Sequence, residues 1–468
     1  MFCIFFNFGG IVPENSNHGK IIKSIKIVDI NLCYYCLYCF SIYMKKETVV
    51  VIGAGIAGLV TARELSSSFD VVILEALSRF GGRIDTITDS GFSVPVESGA
   101  EFVHGRAENS IELLEEAKLN YKPVEGTFYK TSKGRLIAQD GMVEGWDVLL
   151  SKMASLKEDM TLHQFLSTYF EGERNAEIRK QAIAFAEGFD IAAIEKVSVQ
   201  SLYKEWSDQS GDNRVDGGYS KLVEYLVAQC RKQGCTLITN SIVQEINWNG
   251  EQVLVKTLNN IIYSGEYCVL TASVGILQSS ALKSAITFIP ALPEYRSAFH
   301  QIGFGNVVKV VLEFAEVFWA KDAGFFFSEE QFPTWWTQLP MEVPVLTGWA
   351  GGTAADLLKE LNEADLLDIA IRSVSSIFNL SMEDIQKKIK TAQVFNWHKE
   401  PFTAGAYSYH LPETPKALDI LTHPVGGKLY FSGEGLYSGP HPGTVEAAIV
   451  SAKDVAERLK KDKFNSVQ

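Results

Sequence analysis

Residues 48–83 read TVVVIGAGIAGLVTARELSSSFDVVILEALSRFGGR, and the fold turns on this stretch. It opens with an apolar, β-branched run, Val49 to Ile52, as a strand buried on both faces requires. Glycines follow at Gly53, Gly55 and Gly58, then helical text from Leu59 to Leu65, then a second apolar run, Val71 to Leu74. Gly53 permits a tight turn off the first strand. Gly55 lets backbone approach a pyrophosphate, and Gly58 lets the helix pack close to the strand. The helix start at Ile56–Leu59, Ala57 included, aims free N–H groups and a positive dipole end at phosphate. Glu75, with Ala76 beside it, lies 22 positions after Gly53, at the tip of the second strand. There a carboxylate accepts hydrogen bonds from ribose hydroxyls and repels a 2′-phosphate, which disfavours NADP. The unit predicts a dinucleotide site without choosing between NAD and FAD.

Phe80-Gly81-Gly82-Arg83 follows the second strand. An arginine carried there on a glycine turn can neutralise a pyrophosphate. The run from Glu75 through Arg79 to Gly82-Arg83 resembles the flavin amine oxidase superfamily, which includes the monoamine and polyamine oxidases. The resemblance spans about Thr48 to Leu459 and implies FAD. Its second specific signal is Phe431-Ser-Gly433-Glu434 with Gly443-Thr444-Val445-Glu446, near the C-terminus. The resemblance implies that Glu434 bonds the ribityl chain. It also implies that the helix starting at Thr444 and Val445 faces the flavin ring, where its N–H groups can stabilise negative charge. By the same resemblance the Gly99-Ala100-Glu101 loop runs along the flavin, Val243 meets the adenine, and Trp397 belongs to the cofactor segment. Ala406 stands where members with a covalent flavin carry cysteine, so noncovalent FAD is expected.

Three residues carry the expected chemistry. Lys309 is the single charge between Val307 and Leu312, and a charge inside such a run is costly unless it is paired or functional. In the resembled family a lysine here contacts flavin N5 through a water; the plain alternative is an edge-strand lysine facing solvent. Tyr407 would present an aromatic face to the amine. His104 sits where polyamine-oxidase-like members place a histidine, the alternative being a histidine that caps a loop. Thr444 replaces a tyrosine common in monoamine and polyamine oxidases, so a two-tyrosine cage is incomplete. Trp335, Trp336 and Trp349 are expected mainly in core packing.

These readings imply an α/β fold: a Rossmann-like FAD-binding domain (44–126, 201–275, 391–468) interleaved with an α+β substrate domain (127–200, 276–390). Glu187 to Ala193 resembles a segment of bacterial members. Expected elements include a hairpin of 252–258 with 262–271, whose end at Cys268–Thr271 closes the nucleotide sheet.

The implied reaction is FAD-dependent oxidation of an amine to an imine, with dioxygen reoxidising the flavin to give peroxide. Two rivals stay open. One is FAD-dependent desaturation or oxidation at carbon–carbon bonds, as in phytoene-desaturase-like and protoporphyrinogen-oxidase-like relatives. The other is a flavin-bound scaffold.

Composition narrows the classes. The chain has 468 residues, 46% apolar and 21% charged, with net charge −13. The acidic balance argues against a general nucleic-acid binder. The 7 cysteines, four of them before residue 40, do not form a disulfide framework and point to a reducing, cytoplasmic setting. Cys33, Cys36 and Cys39 have metal-like spacing, but tyrosine-rich spacers and no nearby fourth ligand argue against a site. No HExxH spacing occurs, so no metal is expected, and no G-x-S-x-G supports a nucleophilic hydrolase. Residues 1–43 read as a disordered or artefactual extension ahead of a start at Met44. No apolar anchor follows Leu459, so a soluble protein is expected.

Overall fold

The structure, a computed structural model, describes residues 46–466 except 89–90, 133–134, 140–142, 209 and 281. The expected 1–43 extension and the Cys33–Cys36–Cys39 spacing lie outside the described residues. The chain divides into two units between Lys46 and Glu47; the second is described below.

At its centre is a five-stranded sheet in the order Thr236–Ile238, Asp70–Leu74, Thr48–Ile52, Tyr267–Leu270, Leu429–Phe431. Every neighbouring pair is parallel, with Val50 opposite both Val72 and Cys268. The β-branched run explains its central place. Val49 and Val51 face a layer of helices that supplies Leu59, Leu226 and Ile449. Val50 and Ile52 face the opposite way, against Ile246, Val255 and Leu418. Successive side chains point to opposite faces, so only a run apolar at every position can occupy a sheet covered on both.

The 262–271 segment departs from expectation. It breaks at Glu266. Ile262–Gly265 pairs with Val253–Thr257 in a four-stranded sheet, while Tyr267–Leu270 joins the parallel sheet. A Cβ on Gly265 would stand 2.8 Å from the Thr48 carbonyl oxygen, and Glu266 accepts the Thr48 N–H at 2.6 Å. This crossing fits only glycine, and it splits the run between two sheets. The Cys268 strand does not close the nucleotide sheet either: Leu429–Phe431 pairs outside it.

A second sheet has seven strands, in the order Ile389–Asn396, Val307–Phe314, Val345–Gly351, Thr334–Thr337, Ala323–Phe327, Thr127–Ser132, Arg135–Gln139. Val307–Phe314 lies inside it, antiparallel to both neighbours and buried along its whole length. Val308, Val310 and Leu312 pack on the helix Glu363–Phe378 through Leu366, Ala370 and Val374. The alternate residues Val307, Lys309 and Val311 therefore point to the other face. Helices Trp146–Ala154, Leu162–Tyr169, Ala176–Gly188 and Val199–Trp206 form a further cluster. The expected fold class, a Rossmann-like α/β arrangement combined with an α+β part, is the one observed.

Candidate active site

A cavity of about 1100 Å³ opens at the carboxyl ends of the parallel strands, lined there by Gly53, Glu75, Thr271 and Gly433. This is where open α/β sheets place ligands.

The nucleotide end is built from backbone. Gly53 has φ +99°, in the left-handed region, and a Cβ on it would stand 2.7 Å from Thr271 Oγ1. A Cβ on Gly58 would stand 1.9 Å from the Gly53 carbonyl oxygen, so the helix Ile56–Leu65 can start this close to the strand only with glycine there. That helix has Gly55 as its N-cap, with no side-chain cap and no acid in its first turn. Its first N–H groups are left for a ligand. Beyond Gly55, a Cβ would meet only the Gly81 carbonyl oxygen, at 3.8 Å. Gly82, at φ +60°, passes so near that its Cβ would lie 3.3 Å from the Gly55 Cα.

Glu75 is buried. Its Oε2 accepts the Ala54 N–H at 2.6 Å and its Oε1 the Leu77 N–H at 2.9 Å. Burial pushes its carboxyl above the usual range, opposed by those backbone donors and Arg79. Each oxygen keeps acceptor capacity for a ribose hydroxyl.

Arg83 Nη1 donates to Glu434 Oε1 at 2.6 Å and to the Ala406 carbonyl at 2.8 Å. Two expected cofactor residues, 351 positions apart, are thus joined to each other. Glu434 also accepts hydrogen bonds from the Ser408 N–H and hydroxyl. Gly99 runs against Arg83 and Trp397: a Cβ there would lie 2.0 Å from the Arg83 carbonyl oxygen. Trp397 Nε1 donates to the Ser98 carbonyl at 2.9 Å, and Ala100 N to the Arg83 carbonyl at 3.0 Å. Thr444 is the cap of the last helix, Val445–Ser466: its Oγ1 accepts the Ala447 N–H at 3.1 Å. A Cβ on Gly433 would meet no protein atom within 4 Å. Uncapped helix N–H groups, a buried acid at the strand tip and an open glycine cradle fit a dinucleotide such as FAD.

A buried charge cluster stands on the Lys309 face. Lys309 is fully buried, with Nζ 2.7 Å from Glu101 Oε2 and 3.3 Å from the Gly99 carbonyl oxygen. Glu101 Oε1 receives Arg214 Nη2 at 3.0 Å and Trp336 Nε1 at 2.9 Å. Burial alone would raise the Glu101 carboxyl; Lys309 and Arg214 outweigh it and hold it below its usual range. Glu97, bonded to the Tyr219 N–H at 2.7 Å, is pushed up to about 7 by burial and by the Glu101 charge. Lys309 is therefore neither an edge-strand lysine nor solvent-facing.

The third part lies around Tyr407. Its hydroxyl donates to the Phe189 carbonyl at 2.6 Å, and its ring lies nearly parallel to Trp349, centroids 6.4 Å apart. Gly443 gives that ring its room, because a Cβ there would stand 2.8 Å from Tyr407 Cδ2. Burial, then Asp190 and Glu205, hold the phenol well above its ordinary value. His104 Nδ1 is 3.1 Å from Asp212 Oδ2, and its ring meets Phe102 and Phe189 edge-on. Burial would lower His104, but Asp212 outweighs it and the imidazole is raised. His441 Nε2 is 2.9 Å from Asp208 Oδ2 and its Nδ1 3.8 Å from Glu205 Oε1. Those carboxylates raise it to about 9.

Lys309, Tyr407 and His104 line the cavity, as do all the expected cofactor residues except Gly58, whose part is packing. Sequence reading missed Arg214, Asp190, Glu205, Asp208, Asp212 and His441. It placed the three tryptophans mainly in the core; Trp335 is there, whereas Trp336 and Trp349 line the cavity. Three of the missed acids, Glu205, Asp208 and Asp212, carried one signal, their clustering at 205–216 just ahead of Gly217-Gly218.

The family model for flavin containing amine oxidoreductases matches residues 56–460. Polyamine oxidase 4 from Oryza sativa subsp. japonica is 25% identical, with 88% of each protein aligned. Lysine-specific histone demethylase 1 homolog 3 from Arabidopsis thaliana is 26% identical over 91% of this chain, which spans only 30% of that longer protein. Among solved structures, putrescine oxidase bound to putrescine superposes with a TM-score of 0.75 at 20% identity, covering 89% of this chain and 99% of that one. Cyclohexylamine oxidase from Brevibacterium oxydans IH-35A gives 0.73 at 19% identity, covering 89% and 100%. Among the described residues no helix is long and apolar enough to cross a membrane. The chain belongs to the flavin-containing amine oxidoreductase family, and is an FAD-dependent oxidoreductase acting on CH–NH groups.

Proposed function

We propose that the protein oxidises a small-molecule amine to the imine and passes the electrons to dioxygen, releasing hydrogen peroxide. Bound FAD supplies the redox chemistry, taking a hydride equivalent from the carbon α to a neutral amine. The chain's own residues supply position and electrostatics. Tyr407 and Trp349 offer aromatic faces to the amine, and the Phe189 carbonyl fixes the angle of the tyrosine. His104, braced by Asp212, orients the substrate from the neighbouring wall. Lys309 serves the oxygen half-reaction as a cation held in place by Glu101. The interleaved division into cofactor and substrate domains belongs to the same reading. A cytoplasmic setting does too, supported by Cys230 and Cys268, which are buried and form no disulfide.

One observation carries this reading: a fully buried lysine on the cavity face of an interior strand, paired with a single carboxylate oxygen at 2.7 Å. The polyamine oxidase relative supports an amine as substrate. The test is anaerobic mixing of the FAD enzyme with mono-, di- and polyamines, followed by air. Bleaching by an amine and peroxide on readmitting oxygen are expected. A flavin that no amine bleaches would remove the proposal in favour of carbon–carbon chemistry, and bleaching without peroxide would remove dioxygen as acceptor.

A further inference from the structure

The helix Ser220–Lys232 closes through Cys230-Arg-Lys-Gln-Gly234-Cys235. Gly234 stands at φ +86°, in the left-handed region, and a Cβ on it would meet nothing within 4 Å. The Cys235 N–H donates to the Cys230 carbonyl at 2.9 Å and the Gly234 N–H to the Arg231 carbonyl at 3.1 Å. These two bonds make a Schellman close, which turns the chain back and brings the side chains at its two ends together. Where such a close often holds an apolar pair, this chain has two thiols within hydrogen-bonding reach of each other. Both also face the helix Ile56–Leu65, whose start forms the nucleotide cradle. Cys230 Sγ donates to the Leu59 carbonyl at 3.4 Å and Cys235 Sγ to the Ala62 carbonyl at 3.8 Å. Cys230 is fully buried, whereas Cys235 is 8% exposed.

We infer that Cys230 and Cys235 are a modification site for hydrogen peroxide, which closes them to a disulfide at the back of the cofactor helix. The inference takes its oxidant from the amine-oxidation reading above, in which the enzyme releases peroxide. The order of attack follows exposure. The Cys235 sulfur, nearer solvent, attacks one peroxide oxygen; the O–O bond breaks, and the other oxygen leaves as water with that thiol's proton. Cys235 is then a sulfenic acid. The Cys230 sulfur attacks it, the S–S bond forms, and the hydroxyl leaves as a second water with the Cys230 proton. Two thiols give up two electrons, and the peroxide takes both. Peroxide reaches the pair as the last turn of the helix frays, since helix ends open at least cost. The hydrogen bond to Cys235, then burial, hold the Cys230 thiol above its ordinary value, so it resolves the sulfenic acid instead of meeting peroxide itself. Cys268 is the contrast: it lies fully buried within the parallel sheet, where burial alone raises its thiol.

The test treats the FAD enzyme, without amine, with excess hydrogen peroxide. Remaining thiols are then alkylated in denaturant and the chain is cut with trypsin. Arg231 and Lys232 lie between the two cysteines, so each leaves in its own peptide. Within hours a species joining those peptides is expected, two hydrogens lighter than their sum, and dithiothreitol should separate it. Cys268 should be alkylated as fully as before treatment. In the Cys235→Ser variant, Cys230 should stay alkylatable through the same exposure. Full alkylation of both cysteines in the wild type, a sulfinic acid at Cys235 without the link, or Cys230 oxidised as fast in Cys235→Ser as in the wild type would overturn the inference. With amine and air in place of added peroxide the same link should form, and catalase should prevent it. A link made by added peroxide but not during turnover strikes the amine-oxidation reading and leaves the dithiol site standing.

Discussion

At the nucleotide end of the cavity the working parts are main-chain atoms: the turn at Gly53, the uncapped N–H groups after Gly55, the glycine passage at Gly81–Gly82. At the other end they are charged and aromatic side chains brought together from distant segments: Lys309 with Glu101 and Arg214, His441 with Asp208, Tyr407 over Trp349. The first end tolerates no added atom at Gly53 or Gly58, though its cradle is open at Gly55 and Gly433. The second is packed with charges, and its character depends on which carboxylates hold protons. A phosphate is recognised by geometry that any sequence with the right glycines can make. An amine is recognised by a balance of charges that many arrangements could supply.

The sharpest way to break this contrast is to add carbon at the nucleotide end. Gly58→Val places a branched side chain where even a Cβ would be 1.9 Å from the Gly53 carbonyl oxygen. Loss of retained flavin absorbance after purification is expected, with destabilisation of about 3 kcal/mol or more; a yellow variant of wild-type melting temperature would show the cradle to be looser than described.

Next is Glu101→Gln. It leaves Lys309 and Arg214 buried without their shared carboxylate, and breaking such a pair costs about 3–5 kcal/mol. Urea unfolding should report a shift of that order, and a change below about 1 kcal/mol would mean that the cluster is better solvated than its burial implies.

Lys309→Met separates binding from chemistry. The variant should keep FAD, because the cradle does not use this side chain, while flavin reoxidation by oxygen slows about 100-fold, the scale of removing one preorganised electrostatic group. Stopped-flow mixing of reduced enzyme with oxygen measures this, and an unchanged rate counts against the role.

The smallest effect belongs to His441. Its pKa is raised from 6.5 to about 9, so the ion pairs with Glu205 and Asp208 stabilise the fold fully below 6.5 and fade as pH rises through 9. His441→Gln should lower stability by about 1 kcal/mol at pH 6 and by nothing measurable near pH 10. A deficit that stays constant with pH would assign the loss to packing rather than charge.

The same contrast explains what the sequence made legible. Gly53, Gly55, Gly58 and Glu75 lie within 23 residues, and each follows from one local demand, so the cradle could be read directly. Lys309 was readable as an anomaly, a charge in an apolar run, but Glu101 is 208 positions away and no local rule pairs the two. Asp190 and Glu205 carry no local mark in the sequence; only folding buries the first and brings the second beside it. The hairpin at 262–271 was misread for a related reason. Its own residues do not place the break at Glu266, because the demand that divides it comes from Thr48, outside the segment.

The parallel sheet also bears on how the protein acquires its cofactor. The Leu429–Phe431 edge strand and the helix Val445–Ser466 that packs on the first helix are made about 380 residues after Thr48. At ribosomal rates of roughly 5–20 residues per second, the first strand waits roughly 20–80 seconds for them. Arg83 gains Glu434 only then. Until then the glycine turn exists without the partner of Arg83, so a flavin that uses both is expected to be captured only at the end of synthesis and to stabilise the closed chain rather than nucleate the first domain.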